Sequence, residues 1–292
     1  MKIGFLDCFA GMSSSRFVAA LISAGVPEQL FHDTVDALDV GARLNLTRVS
    51  RNSISTIKAV ISLNEENFKS EKDFKQHDYP FTVQMQQNHK PAQRLGTIEA
   101  LINDTFLAPN IKAMIIQTFT FLAQAEAKVR GLPLEEISFH KIRALNTIIN
   151  VALCCTGCCW LEIDQWYASA LNVGSGLTRY NCNLLPIPTP TTLELLGLRT
   201  PIFARGPQRE LLTPTCAALL KTLTVNYDPC PPLCISRIGY GGGRMEYDTL
   251  PNFLRLCVGY VSDKTAQSAT DSLIIFESEI ENPTDEILHY LK

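Results

Sequence analysis

Hydrophobic and polar positions alternate early in the chain, then recur at helical spacing. Ile3, Phe5 and Leu6 precede Asp7, so residues 2–7 read as a strand that ends on an acid. A small-residue loop follows, and Ser13 or Ser14 caps a helix that runs to about Ala24, where Gly25 and Pro27 stop it. A second helix covers about Pro27 to Leu38. The runs Leu44–Arg51 and Ser55–Leu63 alternate as strands joined by a hairpin at Arg51-Asn52-Ser53. From Asn64 to about Gln93 the chain is polar and reads as a surface loop carrying His77 and His89. Helical spacing returns at Leu95–Asn103 and Pro109–Arg130, the latter with a stripe of Ile111, Ile115, Phe119, Leu122 and Ala123.

A further helix runs from the neighbourhood of His140 to about Cys159. It places Asn146 and Asn150 on one face, four residues apart, where buried amides need partners or a role. Downstream the pattern predicts a strand at 166–173, a tight Gly174-Ser175-Gly176 loop and a short helix at 191–196. Next come a helix capped by Thr213 with Pro214 in its first turn, and strands at 234–238 and 252–258. Residues 262–272 have the composition of a linker. A strand at 273–277 and a helix at 283–291 follow it.

The chain has 292 residues and a net charge of −3, enough length for a sizeable core and no basic face for nucleic acid. The longest apolar run, near Ile148 to Leu161, is too short for a membrane span, and the start lacks the apolar core of a signal peptide. These features point to the cytoplasm. The 10 cysteines are scattered through apolar segments and read as reduced thiols. Cys155 and Cys158 match a CxxC spacing, but they fall mid-helix, where small thiols filling a tight helix contact are the simpler reading.

Two loops could cradle an anion, although the first lacks a GxGxxG or GK[ST] pattern and a plain βα turn is the simpler reading of it. One follows Asp7 and contains Gly11 and Ser13 ahead of a helix N-terminus. The other is Gly239 to Gly243, where bare backbone can approach a ligand and Arg244 adds a cation; a hairpin bulge explains the same run equally well. His140 is either a catalytic group or a helix cap bonded to backbone.

The motifs taken together resemble one family. Asp7-Cys8-Phe9-Ala10-Gly11-Met12-Ser13 is similar to the opening of the nickel insertion (LarC) proteins. So are Leu122–Leu134, Phe139-His140, Tyr167-Ala168-Ser169, Gly174-Ser175-Gly176, Leu184–Pro188, Thr191–Leu196, Glu210–Ala218, Gly239-Tyr240-Gly241 and Pro251–Arg255. The resemblance implies an α/β (α+β) fold with mixed sheets and packed helices. Residues 1–261 would form a large N-terminal domain, 262–272 a linker, and 273–292 the truncated start of a second, CTP-binding domain. It also implies a lyase-class cyclometallase. That enzyme puts nickel into a pyridinium bis-thiocarboxylic acid mononucleotide, with carbon–nickel and sulfur–nickel bonds and CTP hydrolysis.

On this resemblance His140 and Asp7 are the catalytic candidates, and His140, Asp7 and Cys182 the metal ligands. Gly11, Ser13, Gly174, Ser175, Gly176, Thr213, Thr215, Gly241, Gly243 and Arg244 would bind the nucleotide-like ligand. Nickel is the expected metal, with CTP acting only through a second domain, and magnesium or manganese beside it. Partners would be a separate second-domain chain or further copies of this one, with no nucleic acid and no membrane. The chain departs from the family where acids stand: Ser14-Ser15 replace Gly-Asp, Lys141 replaces Glu, Asn146 and Asn150 replace acids, and Cys182 replaces His. Those departures support an alternative, a diverged relative that keeps the fold and binds a nucleotide-like ligand or serves as an interaction subunit.

Overall fold

The computed structural model describes residues 1–63, 93–139, 141–180 and 183–261. His140, Cys182, the polar stretch 64–92 with His77 and His89, and the expected linker, strand and helix beyond 261 lie outside the described residues.

The chain opens with β1 (Lys2–Asp7), whose side chains alternate between two faces, then α1 (Ser14–Ser23) and α2 (Glu28–Ala37). β2 (Ala42–Arg51) and β3 (Ile54–Leu63) pair antiparallel around Asn52-Ser53. Both turn residues have positive φ, at 47° and 64°, which matches the twist of a two-residue hairpin. β4 (Gln93–Arg94), α3 (Leu95–Asn103) and α4 (Pro109–Arg130) follow. Pro109 starts α4 at fixed φ and Gly131 ends it at φ 63°.

β5 (Ser138–Phe139) pairs with β4, and α5 (Lys141–Leu161) runs through the centre. The run expected as one strand at 166–173 is two: β6 (Gln165–Ala168) and β7 (Leu171–Asn172). The break lies at Ser169, whose backbone N–H bonds Leu6 O while its hydroxyl takes Cys8 N–H at 2.9 Å. β8 (Leu177–Tyr180) and β9 (Asn183–Pro186) form a hairpin, then come α6 (Pro190–Leu196), β10 (Ile202–Phe203) and α7 (Pro214–Thr222). β11 (Leu233–Gly242) and β12 (Phe253–Val261) close the described chain.

The central sheet has six strands in the order β2-β3-β11-β12-β1-β6. β1 runs parallel to β6 and β11 parallel to β3, while the remaining neighbours are antiparallel, so the sheet is mixed and the class is α+β, as expected. Residues Met1–Val261 form one compact unit.

α1 lies between this sheet and α5. Phe17 meets Trp166 of β6 edge to face at 6.0 Å. The glycines of β11 explain the close approach on the sheet side. A Cβ on Gly239 would sit 2.0 Å from Ala20 O, and one on Gly241 1.8 Å from Arg16 O. The strand therefore continues to Gly242 instead of ending near Ile238.

On the other side of α1, a Cβ on Gly157 of α5 would be 2.8 Å from Leu21 Cδ1. Cys154 and Cys155 are fully buried in the same layer, and burial raises both thiols. They behave as small core residues at a tight helix contact. Among the described residues no helix is long and apolar enough to cross a membrane.

Candidate functional site

The C-terminal end of β1 and the N-terminal end of α1 face a cluster of four loops: 8–13, 172–176, 205–213 and 243–252. Strand ends of this kind are where α/β sheets gather ligands. Asp7 stands opposite Arg255 of β12 in the strand register, and its Oδ2 accepts a hydrogen bond from Arg255 Nη2. That contact keeps Arg255 charged although partial burial works against it.

Arg16 is the hub of the loops. It occupies the first turn of an otherwise apolar helix and is 4% exposed. Nη1 donates to Ala10 O at 2.9 Å and to Asn252 Oδ1 at 3.1 Å, Nη2 to Leu211 O at 3.1 Å, and Nε to Ser13 Oγ at 3.2 Å. These four acceptors are neutral, and burial lowers its pKa.

Asn172, fully buried, fixes two of the same loops and the start of a third. Its Nδ2 donates to Phe9 O at 2.8 Å and Arg205 O at 2.9 Å, and its Oδ1 accepts from Arg205 N–H at 3.1 Å. Asn252 Nδ2 holds Met245 O at 2.8 Å, and Arg51 Nη2 holds Gly243 O at 2.7 Å. Arg209 is stacked over the Tyr247 ring at 5.5 Å and donates to Tyr247 Oη at 3.3 Å. These contacts satisfy backbone groups that loops would otherwise leave to water.

The sequence-derived positions distribute as follows. Gly11 (φ 72°) sits where a Cβ would be 2.2 Å from Leu211 O, and Gly174 (φ 80°) where it would be 2.0 Å from Arg209 O. Both are close backbone crossings between the loops. Ser13 stands at the cap position of α1, but its hydroxyl receives Arg16 instead of a backbone N–H. Ser175 is partly buried, and Gly176 accepts Ile187 N–H at 3.0 Å.

Thr213 caps α7 by accepting Cys216 N–H at 3.3 Å, and Thr215 lies in that first turn. Gly241 packs on α1, and Gly243 bonds Asn252 O at 2.8 Å. The Arg244 side chain is exposed. Gly11, Ser13, Gly174, Thr213 and Gly243 thus belong to one loop cluster, while Gly241 lies below it in the sheet. Asn150 Nδ2 donates to Asn146 at 2.8 Å, so the two amides of α5 partner each other.

The sequence pattern did not single out Arg16, Asn172, Arg51 or Glu210. A lone charge directly ahead of the apolar run Phe17–Ile22 was the one available signal for Arg16. Glu210 pairs with Gly174 through a backbone bridge, and burial raises its carboxyl to about 7. Cys216 nearby is fully buried and its thiol is pushed up to about 12. Among the described residues no group of three or more His, Cys, Asp or Glu side chains gathers to hold a metal ion.

The sequence profile described as "Nickel insertion protein" matches residues 5–292. A candidate nickel insertion protein of Synechococcus sp. is 30% identical over 293 residues, covering 99% of this chain and 68% of the relative. A candidate nickel insertion protein of Geobacter sulfurreducens is 32% identical over 295 residues, covering 100% of this chain and 69% of the relative. The pyridinium-3,5-bisthiocarboxylic acid mononucleotide nickel insertion protein of Desulfitobacterium hafniense is 32% identical over 265 residues, covering 90% of this chain and 60% of the relative. No solved structure matches the chain.

Proposed function

Because this chain belongs to the nickel insertion protein family, we propose that it takes part in inserting nickel into a pyridinium-3,5-bisthiocarboxylic acid mononucleotide, in the cytoplasm. The observation that carries this reading is the loop cluster at the end of β1. Arg205, Arg209 and Arg244 lie in its loops and Arg255 at its edge, against four carboxylates, Asp7, Glu210, Glu246 and Asp248; Arg16 and Arg51 are buried, with their donors on the loops themselves. A mononucleotide with a phosphate and two thiocarboxylates is strongly anionic, and guanidinium groups suit such oxygens and sulfurs. Arg209, already stacked on Tyr247, would meet the anion with little loss of side-chain freedom.

In this proposal nickel is substrate. Asp7 is a ligand candidate at the mouth of the cluster, with His140 and Cys182 as the other two. A carboxylate, an imidazole and a thiolate together suit a borderline divalent ion. CTP would act through a second domain, whose start at 273–292 lies outside the described residues, or through a separate chain that carries it. Magnesium or manganese would accompany CTP.

A second reading has an observation of its own. Asn146 and Asn150 bond to each other and bring no negative charge to α5, which favours a relative that binds the nucleotide without inserting metal.

Purified protein given Ni(II), CTP, the pyridinium mononucleotide and a chain that carries the second domain separates the two readings. Nickel recovered in the nucleotide product supports insertion. Nucleotide bound without nickel transfer supports the second reading and rules out the first.

A further inference from the structure

We propose that Glu210 is the proton acceptor of this site, taking the proton that a substrate donor atom releases as nickel binds it; the inference rests on the nickel-insertion reading above. Glu210 Oε1 is sealed from solvent and receives no hydrogen bond from the described residues. Native structures leave few such atoms, because a buried unpaired polar group costs about 1–3 kcal/mol.

The frame around this carboxyl is rigid. Its backbone bridges Gly174. On one side Arg209 is held by Tyr247 at 3.3 Å. On the other, Leu211 O receives both Met12 N–H at 2.8 Å and Arg16 Nη2 at 3.1 Å. A residue pinned this firmly, with an oxygen left over, is not explained by loop packing.

The charged and titratable groups near it leave it free to act as a base. Arg16 of α1 directs its hydrogen bonds to Ala10, Ser13, Leu211 and Asn252, and none goes to Glu210. Cys216 of α7 is fully enclosed, and burial keeps its thiol protonated at neutral pH. Cys8 at the end of β1 is likewise buried and raised. With neither an ion pair nor a hydrogen bond from the described residues to favour its charged form, the carboxyl is raised by burial to about 7, which suits exchange of a proton near neutral pH.

The step balances without an oxidant or reductant. The donor–hydrogen bond breaks and its electron pair forms the donor–nickel bond. The proton passes to the Glu210 carboxylate, and nickel stays divalent. Metal binding generally displaces protons from its ligands in this way.

The test compares wild type with Glu210→Gln, using Ni(II), CTP, the pyridinium mononucleotide and a chain that carries the second domain between about pH 6 and pH 9, a range that brackets the carboxyl's titration. Wild-type insertion should rise as pH passes about 7. The variant should lose on the order of a hundredfold in rate and lack that rise. Its melting temperature at alkaline pH should exceed that of wild type, because a buried charge is gone. A variant rate within about threefold of wild type, or an unchanged pH inflection, overturns the proposal. So does a lower melting temperature at alkaline pH, which would mark a carboxylate kept for structure. If wild type inserts no nickel, the nickel-insertion reading fails and Glu210 loses this role with it. Failure of the Glu210 assignment alone shows as an active wild type matched by an equally active variant.

Discussion

Asn150 Nδ2 donates to both the backbone oxygen and the side-chain Oδ1 of Asn146, each at 2.8 Å, within α5. One amide therefore satisfies the other across a single helical turn, and the pair is neutral where the family resemblance implies acids. Asn150 is 8% exposed, so its environment tolerates a dipole far better than a charge. Asn150→Asp should place a carboxylate against the two Asn146 oxygens, relieved only in part if the Asn146 amide flips to present its NH2. The expected loss at neutral pH is about 3 kcal/mol, shrinking in acid as the new carboxyl protonates. Urea unfolding at pH 7 and pH 4.5 measures it.

Gly241→Ala and Gly131→Ala should differ sharply. At Gly241 the added methyl would sit 1.8 Å from Arg16 O, so either α1 or β11 must move. The cost should be at least about 3 kcal/mol, with loss of soluble protein as a further readout. At Gly131 nothing lies within 4 Å, and only the φ of 63° opposes a side chain. About 1 kcal/mol is expected there.

Arg16→Met should destabilise the protein by about 3 kcal/mol, since it leaves Ala10 O and Asn252 Oδ1 without their donor in a buried site and Leu211 O with Met12 N–H alone. Arg16→Lys should recover only part of that loss, because one ammonium cannot reach three acceptors on three loops. Thermal melts of the two variants read the order directly.

Asp7→Asn separates a structural role from a functional one. Its partner Arg255 is 46% exposed at the side chain, and ion pairs at such positions contribute at most about 1 kcal/mol. The variant should therefore melt near wild type. If Asp7 is a nickel ligand, insertion should fall at least about tenfold. An unchanged insertion rate would remove Asp7 from the ligand set.

Stability should depend on Glu210 in a defined direction. Burial raises its folded-state pKa from 4.5 to about 7, so the neutral form is the one the fold favours. The stabilisation from that preference is complete below about 4.5 and is lost as pH rises through about 7. The change is on the order of 2 kcal/mol across that window, and Glu210→Gln should abolish it. Denaturant midpoints at pH 5 and pH 8 for both proteins give the comparison.

Much of the architecture was legible in the chain itself. Periodicity and turn chemistry placed the hairpin at Asn52-Ser53, the cap at Thr213, and the helices over 95–103 and 109–130, because these depend on neighbours within a few residues. The family was legible too, since its motifs are local. Two things depended on distant residues and were hidden. The glycines of β11 could have faced a ligand or a helix, and only the tertiary fold put α1 against them. The loop cluster was the other: Arg16 meets Leu211 and Asn252 across separations of 195 and 236 residues, and no local pattern encodes such a meeting. Sequence by itself determined the elements and the kinship, through short-range backbone preference and spacing. Tertiary structure alone decided which polar groups are buried together, and so which carboxyl was left without a partner.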